Sequence, residues 1–373
     1  MLSPETRIII SGGGTGGHIF PAIAIADALK QAIPGVSILF VGAEGRMEME
    51  KVPAAGYEIE ALWISGIQRS LTLKNLLIPL KLIHSNLKAH QIIRRFKPDA
   101  AIGVGGYASG PTIRAAALSG IPTILQEQNS YPGITNKMLA GKARKICVAY
   151  PGMEKYFPQS KLIVTGNPVR KDIANQQVSR EEALKFFGLD ASKPVVLAVG
   201  GSLGARTINQ SLHSGLKELT DQHIQLIWQT GKNYAEQAAM AVIPFEKAGV
   251  RQFAFITRMD MAYAAADIVI SRAGAIAISE LCITGKPSIL VPSPNVAEDH
   301  QTKNAMALVS KDAALIVKDA DAPSSLVATT VDLAFNKAHQ ETLKKNILQL
   351  AQLNSAQRIA EVIMQCIQEH QNA

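Results

Sequence analysis

The chain carries two glycine-rich turns of one design, one in each half of an α/β pattern. The first runs Ile8-Ile9-Ile10-Ser11-Gly12-Gly13-Gly14-Thr15-Gly16-Gly17-His18 and the second Val195-Val196-Leu197-Ala198-Val199-Gly200-Gly201-Ser202-Leu203-Gly204-Ala205. In each, an apolar β-branched run reads as a strand of a parallel sheet buried on both faces, and helical periodicity follows. Glycine lets backbone come close to a ligand, and the N-terminus of the next helix offers N–H groups to an anion. Two such units predict an α/β fold of two nucleotide-type, Rossmann-like parallel-sheet domains facing each other across a cleft.

The 373 residues suit two domains, and 47% hydrophobic residues suit well-covered sheets. Cys147, Cys282 and Cys366 are too few and too scattered for a disulfide framework or a metal site, and read as buried thiols. No secretory signal and no run of about 18 apolar residues is present, which predicts a soluble, cytoplasmic protein. Charge is uneven: residues 1–165 carry a net +8 and residues 166–373 a net of zero. Residues 61–98 hold seven basic residues and no acid. Such a stretch attracts a membrane surface, a nucleic acid or a phosphorylated substrate.

The pattern predicts strands at 7–11, 36–41, 100–104, 122–126, 145–149 and 162–165 in the first half, with helices at 20–32, 109–119 and 134–141. Gly166-Asn167-Pro168-Val169-Arg170 reads as a hinge. The second half repeats the scheme, with strands at 194–199, 224–229, 267–270 and 287–291 and helices at 205–219, 259–266, 275–284 and 299–310. The expected domains are 1–165 and 166–352. The last helix, 353–370, carries Ile359, Val362, Ile363, Cys366 and Ile367 on one face and is expected to pack back on the first domain.

Gly12, Gly14 and Gly17 satisfy the dinucleotide pattern, which alone is weak; the second strand ends without the acid a dehydrogenase places there. No Gly-Lys-Ser/Thr follows, so a P-loop is excluded. His18 sits near a helix start, where the positive helix end favours a neutral imidazole able to take a proton; the alternative is a histidine that only bonds the loop. Tyr107, after Gly103-Val104-Gly105-Gly106, would project at the carboxyl edge of the sheet or pack. Gln126-Glu127-Gln128-Asn129 puts four polar residues at a strand end, where they are expected to line a cleft. Glu280 could accept hydrogen bonds from both hydroxyls of a ribose or only hold its loop. His300, Gln301 and Asn304 open a helix at neighbouring positions.

The strings GGGTGGHIFPA (12–22), GVGGYASGP (103–111), QEQN (126–129), GNPVR (166–170), GGSLGA (200–205) and SRAGAIAISE (271–280) resemble one family. It is the family of peptidoglycan N-acetylglucosaminyltransferases that convert lipid I to lipid II. The resemblance covers residues 7 to about 310, in order and in register. It implies a GT-B architecture, with the acceptor on the N-terminal domain and UDP-N-acetylglucosamine mainly on the C-terminal one. It implies donor contacts from Thr15, Gly16 and Gly17, from Asn129, and from Arg170 and Ser202 toward the diphosphate. It implies a backbone contact of Ile256 to uracil, and contacts of Ala275, Ile276, Ala277, Ile278, Ser279 and Glu280 around the nucleoside, with Glu280 on the ribose. Gln301 matches a sugar contact. The chain departs from the pattern at His300, where relatives carry a second glutamine, so that contact is carried over to Gln301 and not to His300.

Sugar transfer needs a stabilised leaving UDP, a nucleophilic hydroxyl and a base. Arg170, the Ser202 loop and the following helix start suit the diphosphate, and His18 is the expected base. The resemblance implies an inverting in-line displacement onto the 4-hydroxyl of the muramyl sugar. The sequence near the donor loops shows no Asp-x-Asp; no metal and no cofactor are expected. Residues 71–96 combine leucines (Leu71, Leu73, Leu76, Leu77, Leu80, Leu82) with Lys74, Lys81, Lys88, Arg94 and Arg95, as interfacial segments do. They are expected to dock a peripheral enzyme on the anionic inner leaflet, at the cytoplasmic face of the cell membrane. Poor aromatic interleaving disfavours nucleic acid.

Overall fold

A computed structural model describes Ser3 and residues 5–65, 78–174, 177–201 and 203–372. The chain divides into two compact units, Met1–Arg170 with Asn354–Ala373, and Lys171–Leu353. The break thus falls after Arg170, at the far end of the turn-rich segment.

Unit 1 is built on a seven-stranded parallel sheet in the order β3-β2-β1-β4-β5-β6-β7. Its strands are β1 (Arg7–Ser11), β2 (Ser37–Ala43), β3 (Glu58–Leu62), β4 (Ala100–Gly103), β5 (Thr123–Glu127), β6 (Lys145–Val148) and β7 (Leu162–Val164). Its first helices are α1 (Gly16–Ala32), α2 (Glu48–Ala54), α3 (Ile78–Phe96), α4 (Ser109–Leu118) and α5 (Ile134–Leu139). Side chains of β1 alternate between two cores. Ile8 and Ile10 face Ile25 and Leu29 of α1, while Ile9 faces Ile92 and Ile93 of α3 and Ile113 of α4. Burial on both faces is why this strand reads as an unbroken apolar run.

Unit 2 carries a six-stranded parallel sheet in the order β10-β9-β8-β11-β12-β13. These are β8 (Val195–Val199), β9 (Gln225–Gln229), β10 (Val250–Phe253), β11 (Ile268–Ser271), β12 (Ser288–Leu290) and β13 (Leu315–Ile316). Its helices are α6 (Lys171–Ala174), α7 (Arg180–Phe187), α8 (Arg206–Asp221), α9 (Ala235–Val242), α10 (Met259–Ala265), α11 (Ala275–Thr284), α12 (His300–Val309), α13 (Ala322–Phe335) and α14 (Lys337–Leu348). The chain then returns to unit 1 as α15 (Ser355–Gln371), whose Ile359, Ile363, Cys366 and Ile367 join the α1 core.

The strands that the sequence pattern does not show are β3, β10 and β13, all at or next to a sheet edge. In β3 the sequence reads Glu58-Ile59-Glu60, because an edge strand half open to water needs no apolar run. Among the described residues no helix is long and apolar enough to cross a membrane.

Candidate active site

In each sheet the strand order reverses beside one strand pair, β1/β4 in unit 1 and β8/β11 in unit 2. Loops leaving such a pair diverge and open the crevice where parallel sheets bind ligands. The glycine-rich turns sit there.

In unit 1 the loop after β1 packs backbone to backbone on the loop after β4. Gly13 N–H donates to Gly105 O (3.3 Å), and a Cβ at Gly106 would stand 2.5 Å from Gly13 O. Behind the loop lies Glu48, only 1% exposed. Its Oε2 accepts the Gly14 N–H (2.8 Å) and its Oε1 the Ala43 N–H (3.0 Å). The amides of Gly13 and Gly14 are therefore taken by the protein itself. Thr15 makes no side-chain cap to α1, so the first turn at Gly16 and Gly17 is the part left without one.

His18 opens α1. Its Nδ1 lies 3.1 Å from Gly13 O and 3.3 Å from Thr15 Oγ1. A carbonyl only accepts, so the hydrogen-bond network assigns the proton of the neutral ring to Nδ1 and leaves Nε2 with its lone pair. A Cβ at Gly105 would stand 2.8 Å from Nε2; glycine there makes room for the ring.

The Gln126–Gln128 segment does not line a crevice. Gln126, Glu127 and Gln128 are buried, and each is hydrogen-bonded. Glu127 accepts from Asn129 N (3.0 Å), Asn129 Nδ2 (3.2 Å), Gly133 N (3.1 Å) and Asn136 Nδ2 (2.8 Å). Burial pushes its carboxyl above the usual range, and those donors oppose the shift. A group so enclosed holds Asn129 in place rather than taking protons from a substrate. Asn167 closes the network: it accepts from Gln126 Nε2 and donates to Gln128 O, both at 3.0 Å. That anchors the segment leading to Arg170.

In unit 2 the Gly200–Gly204 turn is pressed against the end of β9. A Cβ at Gly204, whose φ is +83°, would stand 2.0 Å from Thr230 O. Gln229 joins two loops: its Nε2 donates to Gly201 O (3.2 Å) and its Oε1 accepts the Ile256 N–H (2.9 Å). Ser202 lies outside the described residues. Helix α8 starts after Ala205 and α11 after Gly274, neither with a side-chain cap nor an acid in the first turn. By contrast, α7 and α14 are capped by Ser179 and Asn336. Glu280, on the second turn of α11, accepts from the hydroxyl of buried Tyr263 (2.9 Å). Gln301 Oε1 accepts the Ser293 N–H (2.9 Å). Arg272 is tied to Asp319 and to the carbonyls of Val291 (3.0 Å) and Pro292 (3.3 Å), while the other Asp319 oxygen accepts from Thr207 (2.9 Å). Asp319-Ala320-Asp321 is an Asp-x-Asp that the fold brings to a donor loop, contrary to expectation; Asp319 acts there as an internal tie.

The glycosyltransferase family 28 N-terminal domain matches residues 8–148, and the family 28 C-terminal domain matches residues 195–363. The chain belongs to this family. It is 56% identical over 361 residues to the UDP-N-acetylglucosamine–N-acetylmuramyl-(pentapeptide) pyrophosphoryl-undecaprenol N-acetylglucosamine transferase of Parabacteroides distasonis, covering 97% of this chain and 98% of that one. The same-named protein of Cytophaga hutchinsonii is also 56% identical, with 97% of each chain covered. Among solved structures, Acinetobacter baumannii MurG superposes with a TM-score of 0.77 at 29% identity, over 96% of this chain and 99% of that one. The two parallel-sheet units are those of the GT-B fold.

In this family 28 chain, the residues singled out from sequence sit on loops or helix starts after strands. In unit 1, Thr15, Gly16, Gly17 and His18 follow β1, Tyr107 follows β4, and Asn129 follows β5. In unit 2, Ile256 follows β10, Ala275–Glu280 follow β11, and Gln301 follows β12. Tyr107 is 53% exposed, so it is not a packing residue. The sequence reading missed Glu48, Gln229 and Asn167. Glu48 and Gln229 each bond the backbone of a glycine loop remote from them in sequence, and Asn167 bonds the end of β5; no periodic pattern marks these contacts.

Proposed function

We propose that the chain transfers N-acetylglucosamine from UDP-N-acetylglucosamine to the muramyl sugar of undecaprenyl-pyrophosphoryl-N-acetylmuramyl-pentapeptide. Identity of 56% across nearly the full length to transferases named for this reaction supports the reading. The observation that carries the chemistry is the anchored His18, with Nδ1 held by Gly13 O and Nε2 left basic. In the proposed mechanism Nε2 takes the proton of the acceptor 4-hydroxyl as that oxygen attacks the anomeric carbon in line with departing UDP. The uncapped first turn of α8, the Ser202 loop and Arg170 stabilise the charge on the diphosphate. Glu280, fixed by Tyr263, takes the ribose. The Ile256 N–H is engaged by Gln229, so a nucleobase meets the Ile256 carbonyl. Thr15, Gly16, Gly17, Asn129 and Gln301 complete the donor site.

The acceptor's polyprenyl chain stays in the bilayer, so the enzyme docks on it as a peripheral protein. On α3, Leu80, Leu82, Ile83 and Leu87 are exposed, which argues against their being core. Lys88 and Arg94 flank them; Lys81 is partly engaged by Ser65 (3.0 Å) and the Trp63 ring. Lys74, Leu71, Leu73, Leu76 and Leu77 lie outside the described residues.

The test is UDP release from UDP-N-acetylglucosamine with and without a lipid I analogue. Acceptor-dependent release is expected, and His18→Ala should lower kcat by about 10²–10⁴-fold with UDP binding intact. Release that ignores the acceptor would remove this reading; near-normal turnover of His18→Ala would remove His18 as the base.

A further inference from the structure

Glu48 is seated as if the loop were built around it. A Cβ at Gly13 would stand 2.2 Å from its carboxyl carbon, and one at Gly42 2.6 Å from its Cγ. Its Oε2 accepts the Gly14 N–H at 2.8 Å. That N–H and the Gly13 carbonyl are the two ends of one planar trans peptide and point in opposite directions. The carbonyl end faces His18 Nδ1 at 3.1 Å. The carboxylate and the imidazole therefore hold opposite ends of the same peptide unit. A negative charge at the N–H end polarises the peptide and makes its oxygen a stronger acceptor.

We propose that Glu48 is a positioning residue that acts on His18 through the Gly13–Gly14 peptide. The proposal rests on the reading of His18 as the base. When the acceptor hydroxyl gives its proton to Nε2, Nδ1 keeps its own proton and the ring becomes an imidazolium. The Gly13 oxygen, polarised by Glu48, then accepts a charge-assisted hydrogen bond. Glu48 takes up no proton and forms no bond to substrate. It holds the ring in the Nδ1–H tautomer and stabilises the charge that the ring gains.

The experiment compares Glu48→Gln, Glu48→Asp, His18→Ala and the double variant His18→Ala/Glu48→Gln. Glutamine puts an NH₂ where one of the two backbone N–H groups needs an acceptor, whereas aspartate keeps the charge. By analogy with partners that orient metal-bound histidines, Glu48→Gln should lower kcat about 10–100-fold. The KM for UDP-N-acetylglucosamine should stay within about two-fold, Glu48→Asp should retain more kcat than Glu48→Gln, and adding Glu48→Gln to His18→Ala should change kcat by less than about two-fold. Nitrogen NMR of the His18 ring should show the Nδ1–H tautomer in the parent and a mixture in Glu48→Gln. UDP calorimetry on each variant checks that unit 2 is intact, and if Glu48→Gln does not fold, Glu48→Asp, whose shorter side chain reaches the Gly14 N–H less well, and the double variant His18→Ala/Glu48→Asp carry the same test of non-additivity, with a smaller expected loss of kcat. Effects that multiply in the double variant, or an unchanged kcat in Glu48→Gln, would overturn the proposal while leaving His18 as base. A near-normal His18→Ala would instead overturn the reading on which it rests.

Discussion

Replacing Gln229 with leucine should loosen the donor site without touching a residue proposed to bind donor. Gln229 is buried at the end of β9, and its amide joins Gly201 O after β8 to Ile256 N after β10. Leucine keeps the apolar volume and removes both bonds. Ile256 is only 3% exposed, so its N–H loses its partner without access to water, a cost of about 1–3 kcal/mol. Gly201 is exposed, and water replaces its lost donor at a cost of roughly 0–1 kcal/mol. Unit 2 should therefore lose about 1–4 kcal/mol. If UDP requires the two loops in their joined arrangement, binding must restore it. A free-energy cost of about 1–2 kcal/mol is then roughly 5–30-fold in Kd. Calorimetry of UDP and urea unfolding of the same variant measure both numbers. Unchanged UDP affinity in Gln229→Leu, with the stability loss present, would refute the claim that the joined loops form the nucleotide site.

Three further outcomes are expected. Glu280→Ala should weaken UDP binding by ~2–3 kcal/mol, roughly 30–150-fold, as a charged hydrogen bond is lost; calorimetry decides it, and unchanged affinity removes Glu280 from the site. Lys286 lines a cavity of ≈ 180 Å³ with Asp172, Asp260 and Tyr263, and burial pulls its ammonium down from 10.5 to about 8, with Asp267 opposing. Below about 8 both states are protonated and the full burial cost is present; between about 8 and 10.5 the unfolded chain binds more protons, so stability rises with pH. Lys286→Met should accordingly stabilise unit 2 by about 2 kcal/mol near neutral pH, after allowing for the lost bond to Ala266 O, and the gain should vanish above the unfolded pKa in urea titrations across that range. Sedimentation with vesicles should require anionic lipid, fall with salt, and drop when Leu80, Ile83 and Leu87 become serine; equal partitioning of that variant and the parent would mean that another surface docks.

Much of the molecule was legible in order along the chain. Strands such as Ile8–Ile10 and Val195–Val199 are covered on both faces, so burial itself writes a continuous apolar run before each glycine turn. Helix α15 showed its apolar stripe for the same reason, since packing on α1 needs one face only. These features depend on neighbours in sequence, and periodicity records them. The edge strands β3 and β10 were hidden because half their surface meets water and imposes no pattern. Tertiary structure alone decided which polar residues are engaged in holding the loops. Glu127 looked like a crevice residue and is enclosed by four donors, while Glu48 and Gln229 carried no signal and hold the glycine turns. A hydrogen bond over 34 residues, as from Gly14 to Glu48, leaves no periodic trace. It exists only once the parallel sheet brings the ends of β1 and β2 side by side.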